Sequence, residues 1–126
     1  MNTSFTYSNE YEPAMPIIEL QLGVTRAEVN LKVRALVDSG ADGTIIPLSL
    51  LQKMSVRSRE KRWMRGVAGG RYKVSLYPIF LQLGSFGMYL PVVGDPLNNE
   101  TIVGRDFINH LIVTLNGLAE TVEVES

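Results

Sequence analysis

A short acidic turn between two apolar runs is the feature that most constrains this chain. Leu36 and Val37 lead into Asp38-Ser39-Gly40-Ala41-Asp42-Gly43, and Thr44-Ile45-Ile46 resumes the apolar pattern. Asp and Ser accept local backbone N–H bonds and Gly tolerates positive φ, so a plain Asx-turn is one interpretation. The flanking apolar runs favour a second interpretation, in which a carboxylate is held between two buried segments because it performs chemistry.

The residues before this turn predict a hairpin. Residues 17–22 form a short apolar run, and Gly23-Val24-Thr25 reads as a turn. From residue 27 to residue 34 apolar and polar side chains alternate, which is typical of a half-buried strand. The sequence therefore places Asp38 at the end of a well-defined strand.

Later segments predict further short strands and little helix. Pro47 suits the first turn of a helix, and residues 48–54 can form one short helix. Residues 74–93 read as strands separated by the turn at residues 84–87. Asn116-Gly117 is a strong hairpin signal, and the terminal strand at residues 120–125 is expected to leave an unpaired edge open to a second copy. These patterns predict an all-β protein with one or two short helices.

Length and composition exclude several classes of protein. A chain of 126 residues is expected to form one domain, with residues 1–16 as a flexible N-terminal lead-in and residues 17–126 as the folded domain. The absence of cysteine excludes disulfides, thiolate metal sites and a cysteine nucleophile, and the single histidine excludes a histidine-rich zinc site. No apolar run reaches the ~20 residues that a membrane-spanning helix needs. We expect a soluble, cytoplasmic protein with no membrane partner and no cofactor.

A basic segment raises the question of an anionic ligand. Five basic residues surround Trp63, namely Arg57, Arg59, Lys61, Arg62 and Arg65. Such a run can form a nucleic-acid or acidic-ligand patch, but most are solvated faces. The formal net charge of -1 favours the solvated face and no nucleic-acid partner. A nucleic-acid-binding barrel remains an alternative, which predicts binding that weakens steeply with salt. Trp63 itself is expected to pack.

A glycine-rich stretch joins the next two predicted strands. Gly66, Val67, Ala68, Gly69 and Gly70 have the composition of a hairpin tip. A phosphate-binding loop is the alternative, but the stretch lacks the Gly-Lys-Ser/Thr ending and no helix pattern follows it. The hairpin is the better interpretation.

The acidic turn has an echo in the last third of the chain. Ile102-Val103-Gly104-Arg105-Asp106 repeats the form of an apolar pair followed by a tight polar turn. The acidic turn, the glycine-rich hairpin and this echo resemble, in order and approximate spacing, the retropepsin-like aspartic proteases, the family of single-lobe retroviral proteases and their cellular and bacterial relatives. The resemblance covers residues 17–124. It implies a small closed β-barrel that dimerises to a two-lobed enzyme.

The resemblance also implies roles for individual residues. Asp38 matches the catalytic aspartate, Ser39 and Ala41 belong to the active-site loop, and the carbonyl of Gly40 would hold substrate. Arg105 would pair with Asp42 and brace the loop. The flap that closes over a peptide would comprise Gly66, Val67, Ala68, Gly69 and Gly70, and the substrate pocket would include Ile45 and Ile102. The lead-in and residues 54–63 are longer than in compact viral members, and Asp106 stands where Asn is common in retroviral enzymes.

The chemistry explains why a dimer is expected. Peptide hydrolysis by carboxylates needs one ionised group to take a proton from water and one neutral group to give a proton to the carbonyl oxygen. Two carboxylates about 3 Å apart share one proton and fill both roles. The chain has a single Asp-Ser-Gly, so the partner carboxylate is expected from a second copy. Neither Asp95 nor Asp106 has that context, and both are expected to be surface or loop-bracing acids. His110 is expected to pack or to end a helix.

Together these features predict an aspartic endopeptidase acting on peptide or protein substrates, with no metal. The alternative is a dimeric peptide-binding or assembly module of the same fold without catalysis. A strictly monomeric protein would favour that alternative.

Overall fold

The computed structural model describes residues 1–65 and 69–126. In these residues strands account for 55% and helices for 8%, which confirms an all-β fold with two short helices. No helix in the described ranges is long and apolar enough to cross a membrane. The elements, in chain order, are β1 (Asn2–Thr6), β2 (Ile17–Gly23), β3 (Val29–Val37), β4 (Ile45–Pro47), α1 (Leu48–Lys53), β5 (Glu60–Arg65), β6 (Arg71–Leu83), β7 (Phe86–Asp95), β8 (Thr101–Val103), α2 (Arg105–Ile108), β9 (Ile112–Asn116) and β10 (Thr121–Glu125).

Six strands close into a barrel. Their order is β2, β3, β8, β4, β7 and β6, and pairing of β6 with β2 closes the ring. The closing contact joins residues 21–23 to residues 80–82. β5 extends the sheet beyond the ring by pairing with β6. The closed β-barrel expected from the sequence is therefore confirmed.

The two motifs that echo each other lie side by side in the barrel wall. β3 and β8 run parallel, with Leu36 opposite Ile102 and Val37 opposite Val103. β4 meets β8 at the pair Ile45 and Ile102. The acidic turn and its echo therefore leave the barrel at the same end.

Apolar side chains of the strands fill the barrel, and each helix adds one buried side chain to the core. Leu51 of α1 and Phe107 of α2 are fully buried. The ring of Phe86 lies 5.6 Å from that of Phe107, in an edge-on arrangement. The helix expected after Pro47 is thus present as α1 and covers the barrel.

The N-terminal segment differs from the expectation of a lead-in apart from the core. β1 pairs along its whole length with β10, and Phe5 contacts the buried core. Ser8 forms an isolated bridge with Met15, and the Tyr11 hydroxyl donates to the Glu100 carboxylate over 2.5 Å. The expectation is therefore wrong for residues 2–6, which form a strand because they pair with β10 and Phe5 packs against the core.

The C-terminal strand has no free edge in this chain. β10 lies between β1 and β9, and its Val122 and Val124 are buried. The expectation of an unpaired terminal strand is wrong, because the N-terminal residues fill that edge. The hairpin signalled by Asn116 joins β9 to β10, with Asn116 Oδ1 accepting from the Ala119 N–H over 3.0 Å.

Candidate active site

The acidic turn begins where β3 ends. The Asp38 N–H donates to the Val103 carbonyl over 3.1 Å, which ties the turn to β8. Asp38 Oδ1 accepts from the Gly40 N–H over 2.9 Å, and the Asp38 carbonyl accepts from the Ala41 N–H over 3.2 Å. The local Asx-turn is therefore present, and it fixes the direction of a carboxylate that is exposed in the single chain.

Gly40 leaves little room for a side chain. A Cβ at this position would lie 3.2 Å from Asp38 Oδ1. Ser39 and Gly40 are exposed beside Asp38, whereas Ala41 is half-buried. The carboxylate of Asp38 is thus exposed with a small residue next to it.

Arg105 braces the other side of the turn. Its Nη1 donates to the Ser39 carbonyl over 2.7 Å, and its Nη2 contacts the Asp42 carboxylate. The Arg105 N–H also donates to the Ala41 carbonyl over 2.9 Å. The contact expected between Arg105 and Asp42 is present. The ion pair is exposed and worth little alone, but the added bond to Ser39 fixes the loop geometry.

A second brace lies beneath the turn and is formed by Asp106, which the sequence left as a surface or loop-bracing acid; its partner Thr44 was not anticipated. Thr44 is fully buried, and its hydroxyl donates to Asp106 Oδ1 over 2.7 Å. The Thr44 N–H donates to Asp106 Oδ2 over 3.0 Å, and the Gly104 N–H donates to the Thr44 hydroxyl over 3.2 Å. Asp106 thus holds the end of the acidic turn. A threonine within an apolar run was the signal for a buried polar contact.

Gly104 is required where the two motifs cross. A Cβ there would lie 2.7 Å from backbone atoms of Gly43 and 2.9 Å from the Ala41 carbonyl oxygen. These are backbone atoms that cannot move aside cheaply. The close approach lets Arg105 and Asp106 reach the acidic turn from beneath.

Two clefts flank the β5–β6 hairpin. Cleft A, of about 530 Å³, is lined by Ile45 and Ile102 together with Val74 and Leu97. Cleft B, of about 320 Å³, is lined by Asp42 and Gly43 on one side and by β5 on the other. The two residues expected in a substrate pocket therefore line one cleft.

The hairpin beside these clefts is described except for its tip. Gly66, Val67 and Ala68 lie outside the described residues. Gly69 has a φ of +85°, a backbone conformation that favours glycine. A Cβ at this position would meet nothing within 4 Å, so lack of space is not the reason for glycine. Gly70 is exposed. Trp63 is 55% exposed, so the expectation that it packs is wrong.

The remaining titratable candidates have other partners. Asp95 accepts hydrogen bonds from Leu97 and Asn98. Burial acts to raise the pKa of Asp95, but the backbone bond from Leu97 and the bonds from Asn98 outweigh it and hold the pKa below its ordinary value.

The His110 ring stacks on Phe86 at 6.3 Å. Among the described residues, no group of three or more acidic or histidine side chains could hold a metal ion.

Comparison with known proteins finds a family model that matches most of the chain. The model of the retroviral aspartyl protease family matches residues 12–116. No curated protein sequence matches at a significant level.

Several solved structures share the fold. A retropepsin-like aspartic protease from Rickettsia conorii aligns with a TM-score of 0.67 at 9% identity, covering 100% of this chain and 94% of that one. The EIAV protease complexed with the inhibitor HBY-793 aligns with a TM-score of 0.60 at 20% identity, covering 84% and 93%. The simian foamy virus protease gives 0.54 at 16% identity, covering 74% and 91%. At these identities the likeness shows the fold.

Proposed function

Because the chain belongs to the retroviral aspartyl protease family, we propose that it is an aspartic endopeptidase that cleaves extended polypeptides as a homodimer. The observation that carries the proposal is the placement of Asp38. Its carboxylate is exposed at the barrel end, in a turn that Arg105 braces from one side and Asp106 from beneath. The two braces hold the turn in place while the Asp38 carboxylate stays exposed, as a catalytic group that contacts a substrate and a second copy requires.

The second carboxylate of the dyad is supplied by Asp38 of the partner copy. With one Asp-Ser-Gly in the chain, a twofold axis near Asp38 brings two identical carboxylates together. Like charges about 3 Å apart cannot both ionise, so the pair holds one proton. The ionised member takes a proton from water and the neutral member protonates the carbonyl oxygen of the scissile bond.

Peptide binds extended between the active-site loop and the hairpin. The Gly40 carbonyl accepts from the peptide backbone, and apolar side chains of the substrate enter Cleft A beside Ile45 and Ile102. Residues 66–70 act as the flap that covers the peptide. Backbone bonds give affinity in this arrangement and the apolar cleft gives preference for side chains.

Replacing the proposed catalytic acid tests this function directly. Purified protein is incubated with a peptide library across a range of pH, and Asp38→Asn is expected to lower cleavage by at least about 10²–10⁴-fold, the usual share of acid–base catalysis. Its circular dichroism and sedimentation should match the parent. Glu123→Gln, at an exposed position on β10, is the matched acid-to-amide control and should cleave normally. Unchanged cleavage by Asp38→Asn would remove Asp38 from the mechanism.

Oligomeric state separates this proposal from a non-catalytic module. Sedimentation over a range of protein concentrations should show a dimer, and activity per chain should fall as the dimer dissociates. Cleavage by a strictly monomeric protein would refute the shared dyad.

A further inference from the structure

One face of the β5–β6 hairpin gathers basic residues from both strands. Lys61 lies opposite Ser75, Trp63 opposite Lys73, and Arg65 opposite Arg71. Residues directly opposite in an antiparallel pair project to the same side of the sheet. We name the set Lys61, Trp63, Arg65, Arg71 and Lys73 the basic face.

The four cations of the basic face are not neutralised by the rest of the described chain. Glu60, the acid of β5, projects to the opposite side and pairs with Arg62 over 3.3 Å. Within residues 1–65 and 69–126, none of the four cations takes part in an ion pair, and all are exposed. In a chain of net charge -1 this face is a local concentration of positive charge.

Trp63 holds two of these cations in place. The Arg71 guanidinium carbon lies 5.0 Å from the ring centroid and the Lys73 ammonium nitrogen lies 5.7 Å from it. Such contacts are attractive because the ring face carries negative charge density. The Trp63 ring is thus in contact with two cations of the same chain. The basic face therefore offers positive charge to a ligand rather than a free aromatic ring for stacking.

The basic face borders both clefts that flank the β5–β6 hairpin. Trp63 and Arg65 line Cleft B, which also contains Asp42. Lys73 lines Cleft A together with Ile45. A polypeptide that leaves either cleft along the hairpin therefore meets the basic face.

We propose that the basic face binds an acidic segment of the substrate polypeptide, outside the residues around the cleaved bond. The inference rests on the proposed protease function and adds a substrate class to it, namely proteins with a run of Asp or Glu near the cleavage site. Nucleic acid fits less well, since the chain has a sequence pI of about 5.8 and Trp63 is engaged by Arg71 and Lys73.

Binding can be measured without cleavage. Fluorescein-labelled octaglutamate and octaglutamine are titrated with the Asp38→Asn protein and followed by anisotropy. Octaglutamate should bind more tightly, and the preference should fade between 0.1 M and 1 M salt as the Debye length falls from about 10 Å to about 3 Å. The double variant Lys61→Glu/Arg71→Glu should weaken octaglutamate binding by about tenfold or more. Lys32→Glu/Lys53→Glu, with the same charge change at exposed positions away from the hairpin, should not.

A cleavage assay ties the site to the substrate. A peptide cut by the active protein is prepared with and without an octaglutamate tail, and the tail should lower KM in the parent but not in Lys61→Glu/Arg71→Glu. The proposed acidic ligand would be refuted if the two octapeptides bound equally well, or if both double variants lost octaglutamate affinity equally. Either result would leave the protease proposal standing. Tighter binding of an eight-residue oligothymidylate would overturn it in favour of nucleic acid. Charge-dependent binding with no cleavage of any peptide would overturn the protease proposal alone.

Discussion

Thr44→Val should destabilise the protein far more than the size of the change suggests. Valine keeps the shape of threonine but removes a hydroxyl that donates to Asp106 and accepts from the Gly104 N–H. Thr44 is fully buried, so water cannot replace the lost partners freely. A hydrogen bond to a charged group contributes about 1.5–3 kcal/mol, and a buried donor without a partner costs about 1–3 kcal/mol. Asp106 is only half-buried and still accepts a hydrogen bond from the N–H of residue 44. We therefore expect the free energy of unfolding to fall by about 2–4 kcal/mol.

Urea unfolding at fixed protein concentration measures this loss. With an m-value of about 2 kcal/mol/M, the midpoint should fall by about 1–2 M. Thr44→Ser is the matched control, since it keeps the hydroxyl and removes one buried methyl group worth about 1 kcal/mol. If Thr44→Val unfolds within about 0.5 kcal/mol of the parent, or Thr44→Ser is the more damaging change, the hydroxyl does not brace the loop.

Two further predictions test other contacts. Asp95→Asn should lower the free energy of unfolding at pH 7, because the lowered pKa of Asp95 gives stability that is present above the unfolded pKa of about 3.9 and lost as pH falls through the folded pKa. The difference in free energy of unfolding between the variant and the parent should therefore become smaller as the pH falls from about 5 to 3. A difference that does not depend on pH would contradict this. Phe5→Ala should cost about 2 kcal/mol in urea unfolding, since Phe5 contacts the core from β1. A neutral effect would mean that β1 adds nothing to the barrel.

The sequence predicted the parts of the fold that local pattern controls. Alternation over residues 27–34 located β3, and Asn116-Gly117 located the last hairpin, because side-chain period and turn chemistry are local properties. The contact between Arg105 and Asp42 followed from a resemblance in motif order. Contacts that depend on tertiary placement were missed. β1 reads as a polar lead-in, and only its pairing with β10 makes it a strand.

In the candidate site, too, the sequence predicted local contacts better than contacts between distant parts of the chain. The Asx-turn at Asp38 is encoded in three adjacent residues, so the sequence was sufficient for it. Asp106 was expected to be a surface or loop-bracing acid, but its contact with Thr44 and the contact of Thr44 with Gly104 join positions about 60 residues apart, and residue types alone do not reveal them. Trp63 was expected to pack rather than to stack on a base, but β5 extends beyond the barrel and Trp63 is exposed there.

The parallel pairing of β3 with β8 has a consequence for when the proposed active site can form. The Asp38 N–H donates to the Val103 carbonyl, so the orientation of the acid depends on residues near the other end of the chain. Such distant pairings form late, because a long loop must close first. A nascent chain that has reached only its first 65 residues holds the acid but not its support, so the proposed active site must await synthesis and docking of the final third.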